Sequence, residues 1–330
     1  MNILADIISG TILFAVPLLL VALGGMFSER SGVINIALEG IMIIGALLSC
    51  LFMSVMERSG FGAAYPQWTV LMAVLIAAVA GILFSMLLAF AAIKLKADQT
   101  IGGTALNMLA PAVAIVIPWA IQGQGQTTIF IPSWTRITQQ SLGIAAGEDF
   151  ISRLVFKSLY LTTPIALVLL ALAVIVLYKT KVGLRLRACG EHPQAADSVG
   201  INVYKMRYLG VGISGLLGGI GGLAYALAAG TGFQGTVAGY GFLALAVMIF
   251  GNWKPINILG ASLFFALFKI IGSYASSIPF LPQFETIKSS EYIYLMLPYI
   301  VTMILLILTS KRSRAPKAEG IPYDKGGGQG

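Results

Sequence analysis

Residues 179–207 read KTKVGLRLRACGEHPQAADSVGINVYKMR, and this stretch decides how the rest of the chain is read. It is a charged island between two long apolar segments, and it holds six of the chain's 21 Lys and Arg residues: Lys179, Lys181, Arg185, Arg187, Lys205 and Arg207. An island this basic is expected to stay on the cytoplasmic side of a bilayer. Within it Pro193 stands at a first-turn position and Gly200 just past the end of a short helical run, the two signals that bound a helix. A brief helix against a membrane's inner face is a handle that a cytoplasmic partner can grip.

Working outward, the flanking chain has the composition of a membrane protein. Of 330 residues, 58% are hydrophobic and only 10% charged, against about 25% charged in soluble domains. Several runs approach the roughly 20 apolar residues that cross a hydrocarbon core. The predicted architecture is an all-α polytopic membrane protein of about eight to ten transmembrane helices, some broken or short, with a cytoplasmic helix at 193–199. Spans are placed near 5–27, 34–56, 69–93, 101–121, 159–178, 208–229, 238–251, 256–276 and 292–309. With the island inside, the inward segments carry fifteen Lys and Arg and the outward ones five, with Lys269 inside a span. That asymmetry predicts an outer amino terminus and a cytoplasmic tail. It also accounts for the net charge of +8 without any nucleic-acid surface.

No Lys or Arg precedes the first apolar run, Asp6 is acidic, and the run is too long for the apolar region of a cleaved signal. Residues 1–310 read as one transmembrane domain. The tail 311–330, KRSRAPKAEGIPYDKGGGQG, is expected to be cytoplasmic and disordered from about Ala315. The long outward segment 122–158 contains a stretch with Phe150, Leu154 and Phe156 that can lie along the interface as an amphipathic helix.

Several spans are irregular. SERSGVINIALEG (28–40) puts Asn35 and Glu39 at the start of a membrane run, and ADQTIGGTALNMLAP (97–111) does the same with Gly102, Gly103, Asn107 and Pro111. Span 238–251 is short for a crossing and is expected to be tilted, or broken near Gly239 and Gly241. Interrupted helices occur at membrane depth only where protein or a water-filled cavity satisfies the freed backbone groups, so such breaks mark a candidate path.

Chemistry is scarce elsewhere. GLLGGIGGLAY (215–225) lacks the Lys and the preceding strand of a phosphate loop, and its glycines suit close helix packing in lipid. Glu39 can face a pathway, or can sit at the boundary and pair with Arg30 or a backbone donor; the sequence leaves both open. Lys269 poses the same choice, with snorkelling along its own stem as the alternative. His192 is the only histidine, and Cys50 and Cys189 are the only cysteines. No metal cluster, disulfide framework or catalytic constellation can be assembled from them, which argues against an enzyme.

Two stretches carry a family resemblance. SGVINIALEGIMIIGA (31–46) and GLRLRACGEHPQAADSVGINVYKMRYLGVGISGLLGGIGGLAYAL (183–227) resemble the permease subunits of bacterial ABC importers for branched-chain amino acids, ribose-type sugars and nucleosides. The resemblance implies that 183–201 is the loop that docks on an ATPase. It carries a coupling role onto Arg187, Ala188, Gly190, Pro193, Ala195, Ala196, Gly200 and Ile201, with Glu191 in the same run; Cys189 departs mildly from the family pattern. Asn35-Ile36-Ala37-Leu38-Glu39-Gly40 looks most like the nucleoside branch, often described loosely as simple-sugar permeases. The implied partners are ATPase subunits that bind ATP and Mg, a second non-identical permease and a lipid-anchored extracytoplasmic binding protein, all at a bacterial cell membrane. For a nucleoside, the path-lining candidates are Asn35, Glu39, Asn107 and Gln234, whose polar groups can pair with base edges and hydroxyls, and Phe233 and Tyr240 for stacking. Ordinary helix-to-helix hydrogen bonding is the competing role for each. The rival readings are a sugar cargo and, from another class, an ion-driven secondary transporter, which has no use for a docking helix.

Overall fold

A computed structural model describes residues 2–139, 159–230, 232–274 and 315–325, together with single helical positions between 296 and 307. Four long helices form the centre: α1 (Asn2–Arg30), α2 (Leu38–Arg58), α4 (Pro66–Ala89) and α9 (Val203–Ala229), with the short α3 (Phe61–Ala64) between α2 and α4. Around them pack α5 (Gln99–Gln122), α6 (Thr162–Lys179), α10 (Tyr240–Phe250) and α11 (Pro255–Ser273). The charged island folds as α7 (Lys181–Glu191) and α8 (Pro193–Ser198) at one end of the bundle, the loop end. Seven helices among the described residues are long and apolar enough to cross a membrane, and α10 is a shorter apolar helix. The span placed at 292–309 and the amphipathic stretch at 150–156 lie essentially outside the described residues.

Small residues set the spacing at the centre. A Cβ added at Gly219 would overlap the Ala77 carbonyl oxygen of α4, and one at Gly222 would overlap the Met42 carbonyl oxygen of α2. One at Gly215 would meet the Gly81 carbonyl oxygen at 2.5 Å. The glycine stripe therefore brings the α9 backbone against two neighbours at once, the close approach that small residues permit in lipid.

Two elements differ from the sequence-based expectation. The break foreseen within 97–111 is absent: α5 runs unbroken through Pro111 and Pro118. The Asp98 side chain starts it by accepting hydrogen bonds from the Thr100 and Ile101 N–H groups at 2.8 and 3.0 Å, and prolines inside membrane helices are tolerated where neighbours satisfy the freed carbonyls. The tail is not loose from Ala315. Residues 315–325 fold back on the loop end with Pro316, Ala318 and Tyr323 buried. Three apolar anchors spaced through a polar run provide what composition alone does not register.

Candidate functional site

The break in the second membrane segment is real. α1 stops at Arg30, Gly32 turns the chain at φ +95°, and residues 33–37 climb without helical structure until α2 begins at Leu38. The first two turns of α5 act as a ruler beside this climb. Near the loop end Gln99 Oε1 accepts from the Ile34 N–H at 2.7 Å. Two turns higher, Asn107 Oδ1 accepts from the Gly40 N–H at 2.8 Å, and Asn107 Nδ2 donates to the Ile36 carbonyl at 2.8 Å. Eight helical residues span about 12 Å. Glu39 therefore sits well inside the bundle, not at its boundary, because the non-helical residues 33–37 lift it.

From the other end a second segment descends to meet it. Phe233 and Ile129 exchange backbone hydrogen bonds at 2.9 Å in both directions, and Gly235 lies beside Ala114 of α5. Gly239, at φ +78°, then turns the chain into α10. That left-handed conformation favours glycine. The Glu39 carboxylate caps this helix: Oε1 accepts from the Gly239 N–H at 2.8 Å and Oε2 from the Gly241 N–H at 2.7 Å. A carboxylate at a helix N-terminus satisfies otherwise orphaned donors and complements the helix dipole. Of the two roles left open for Glu39, its geometry here is that of a buried partner for backbone donors, 7% exposed.

The remaining candidate path residues are distributed around this junction. Asn35 is fully buried and donates from Nδ2 to Ser214 Oγ of α9 at 2.8 Å. Tyr240 is 3% exposed, and its ring packs on Tyr225 at 4.5 Å and Phe14 at 6.3 Å. Phe233 is buried beneath Ile129, whereas Gln234 on the descending segment is exposed. The structure thus gathers Asn35, Glu39, Asn107 and Tyr240 and leaves Phe233 and Gln234 on the approach. Lys269 joins the cluster: its Nζ lies 4.2 Å from the Tyr240 ring centroid, 4.7 Å from Phe14 and 5.8 Å from Tyr225. For this lysine the sequence left open a pathway role or snorkelling along its own stem. Cation–π attraction to three rings is the arrangement found, and no spacing signal links residues 14, 225, 240 and 269.

At the loop end α8 stands on the bundle. Its Pro193 and Ala196 are buried, whereas Ala195 and Val199 are exposed, Val199 at 74%. Ala196 thus serves the core, while Ala195 and Val199 face outward. Gly200, at φ +83°, ends the helix and Ile201 is half-buried. Arg187 lies 5.4 Å from the Tyr178 ring, with Ala188 half-buried beside it. Gly190 backs directly onto the Arg30 carbonyl, and Glu191 reaches the Arg30 guanidinium at 3.9 Å. Sequence reasoning missed α7 itself. Its signal was present in the Thr180 side chain, which accepts from the Gly183 N–H, and in the buried positions Gly183, Leu186 and Gly190. Among the described residues no group of three His, Cys, Asp or Glu side chains is placed to hold a metal.

Known proteins place these features in context. A family model described as "Branched-chain amino acid transport system / permease component" matches residues 7–309. The chain is 46% identical to the guanosine ABC transporter permease protein NupQ of Bacillus subtilis, an alignment that covers 98% of each chain. It is 40% identical to the nucleoside ABC transporter permease protein NupC of Lactococcus lactis, again over 98% of each. A putative glucose ABC transporter permease protein, TsgC13 of Haloferax volcanii, is 32% identical over 80% of this chain and 76% of that relative. No solved structure matches.

Proposed function

We propose that this chain, which belongs to the family of permease components of branched-chain amino acid transport systems, is the membrane-spanning subunit of an ATP-driven importer of nucleosides. The observation that carries the cargo is similarity over 98% of the chain to two relatives whose names specify guanosine and nucleosides. In this reading the loop end is cytoplasmic and the amino terminus lies outside, as the basic island and tail require. The chain works with ATPase subunits, which hold the ATP and Mg, with a second, non-identical permease, and with a binding protein anchored outside.

Mechanically, closure of the ATPase subunits pushes on the exposed side of α8, at Ala195 and Val199. α7 backs onto the end of α1 through Gly190 and Arg30, so the push reaches the central helices and rocks them. At the junction of segments 33–37 and 232–239 the described backbone is not locked in long helices. This junction is the natural place for a passage to open and close. Asn35, Asn107 and the rings near Tyr240 hold that junction together from within the bundle, and Gln234, exposed on the approach, offers an amide to a base edge.

The test is to reconstitute the permease with its partner subunits and measure ATP hydrolysis stimulated by binding protein loaded with guanosine, other nucleosides, ribose or glucose. Stimulation and uptake with nucleosides support the reading. Response to a sugar alone assigns the cargo that the similarity to the glucose permease suggests, and uptake insensitive to ATP depletion defeats the class.

A further inference from the structure

The eleven residues 315–325 make more specific contacts than a trailing end requires. Ala318 N–H donates to the Gly190 carbonyl at 2.9 Å, which ties the segment to the end of α7. Arg207, 1% exposed at the start of α9, donates from Nη1 to the Ile321 carbonyl at 2.9 Å. Tyr323 is 5% exposed and completes a small apolar cluster with Cys189 of α7, Ala196 of α8 and Val203 of α9. Its ring meets Tyr204 edge-on at 5.4 Å. Gly320 presses on Ile34 so closely that a Cβ there would lie 2.7 Å from its Cδ1, and a Cβ on Gly32 would lie 3.4 Å from the Ala318 carbonyl oxygen. Asp324 pairs with Lys96 at 2.8 Å, and Lys325 approaches Asp197 of α8 at 4.0 Å. These last two pairs are exposed and add little; the buried anchors hold the segment.

The segment therefore touches two parts at once, and it does so alongside the direct packing of Gly190 on the Arg30 carbonyl. One is the α7–α8 knob, through Gly190, Cys189 and Ala196. The other is the climbing segment at Gly32 and Ile34, which leads within a few residues to Asn35, Glu39 and the α10 cap. We propose that residues 315–325 are a coupling strap, positioning residues that fasten the α7–α8 knob to the re-entrant segment so that displacement of α8 is passed to the mid-membrane junction. This rests on the reading of α8 as the ATPase handle, and it assigns a role to a stretch that the family match, ending at residue 309, does not reach.

Cys189 supplies an independent reporter. It is fully buried beneath Tyr323, and that burial pushes its thiol up to about 11, Arg207 opposing. In a full-length Cys50→Ala background, assembled with the partner subunits, we expect N-ethylmaleimide to label Cys189 only slowly at neutral pH. Tyr323→Ala should release the strap, raise the Cys189 labelling rate at least tenfold, and cut uptake about tenfold while ATP hydrolysis stays within twofold. Tyr323→Phe, which keeps the ring, should restore the wild-type ratio of ATP hydrolysed to substrate imported. Gly320→Val, which collides with Ile34, should repeat the Tyr323→Ala result by a different route. The proposal is overturned if Cys189 becomes reactive while that ratio stays at the wild-type value, or if Cys189 stays shielded in both variants. Failure of the unaltered complex to import any nucleoside would defeat the cargo assignment instead, and the Cys189 labelling would still report on the strap.

Discussion

Replacing Glu39 by alanine removes the acceptor of two hydrogen bonds, from Gly239 at 2.8 Å and Gly241 at 2.7 Å, at a site 7% exposed. Each buried donor left without a partner costs about 1–3 kcal/mol, so Glu39→Ala should destabilise the fold by about 2–6 kcal/mol. Loss of a negative charge at the α10 N-terminus adds up to about 2 kcal/mol at the upper end of the range. Glu39→Gln keeps one oxygen acceptor but turns an amide donor toward the second N–H, and should fall between wild type and alanine. Glu39→Asp draws the carboxylate back by one methylene, about 1.5 Å along the chain, so it reaches at most one of the two donors. The assay is reversible unfolding in mixed micelles, followed by circular dichroism, with uptake measured on the same variants. An order of wild type, Gln and Asp, then Ala is expected. If all three variants lie within about 1 kcal/mol of wild type, water reaches those N–H groups and the description of a buried cap fails.

Asn107→Ala frees the Gly40 N–H and the Ile36 carbonyl together, and should cost about 2–4 kcal/mol in the same unfolding assay; no change would mean that α5 does not pin the climbing segment. Gly219→Ala places a methyl against the Ala77 carbonyl of α4 and should lose about 1–3 kcal/mol or more with falling membrane yield, whereas Gly212→Ala, which meets only the flexible end of Met86 at 3.5 Å, should be tolerated; equal behaviour of the two would contradict the packing described. Because the thiolate is the reactive form and burial pushes Cys189 up to about 11, its labelling in a Cys50→Ala background should keep rising with pH beyond pH 9, and a plateau near pH 9 would mean that the thiol is not covered. Ala195→Asp should insert normally but separate ATP hydrolysis from uptake, and wild-type uptake by that variant would argue against α8 as the handle.

Much of the architecture was legible because lipid imposes it. Long apolar runs gave the spans, and Pro193 and Gly200 bounded α8 to within one residue of Pro193–Ser198. The glycines of 215–225 announced a helix contact, though not that Ala77 and Met42 would be the partners. The junction was half legible. Asn35, Glu39 and Gly239 stood out as polar or flexible residues in apolar runs, yet their depth depends on whether 33–37 is extended or helical, which periodicity over five residues cannot decide. The meeting of Glu39 with Gly239 and Gly241 spans 200 positions and carries no local signal. The tail misled for a related reason. Its composition reads as disordered, and only tertiary contacts at Gly190, Arg207 and Cys189 make Ala318, Ile321 and Tyr323 into anchors.

The account turns on whether α8 receives force from a separate motor subunit. Ala195→Cys, in a chain with Cys50 and Cys189 replaced by alanine, places one reactive thiol on the exposed side of that helix. In the isolated permease a bulky maleimide should label it readily; in the assembled transporter it should be shielded, and the degree of shielding should change when ATP is added. A thiol that remains equally open to the reagent in the assembly, with and without ATP, would contradict the account.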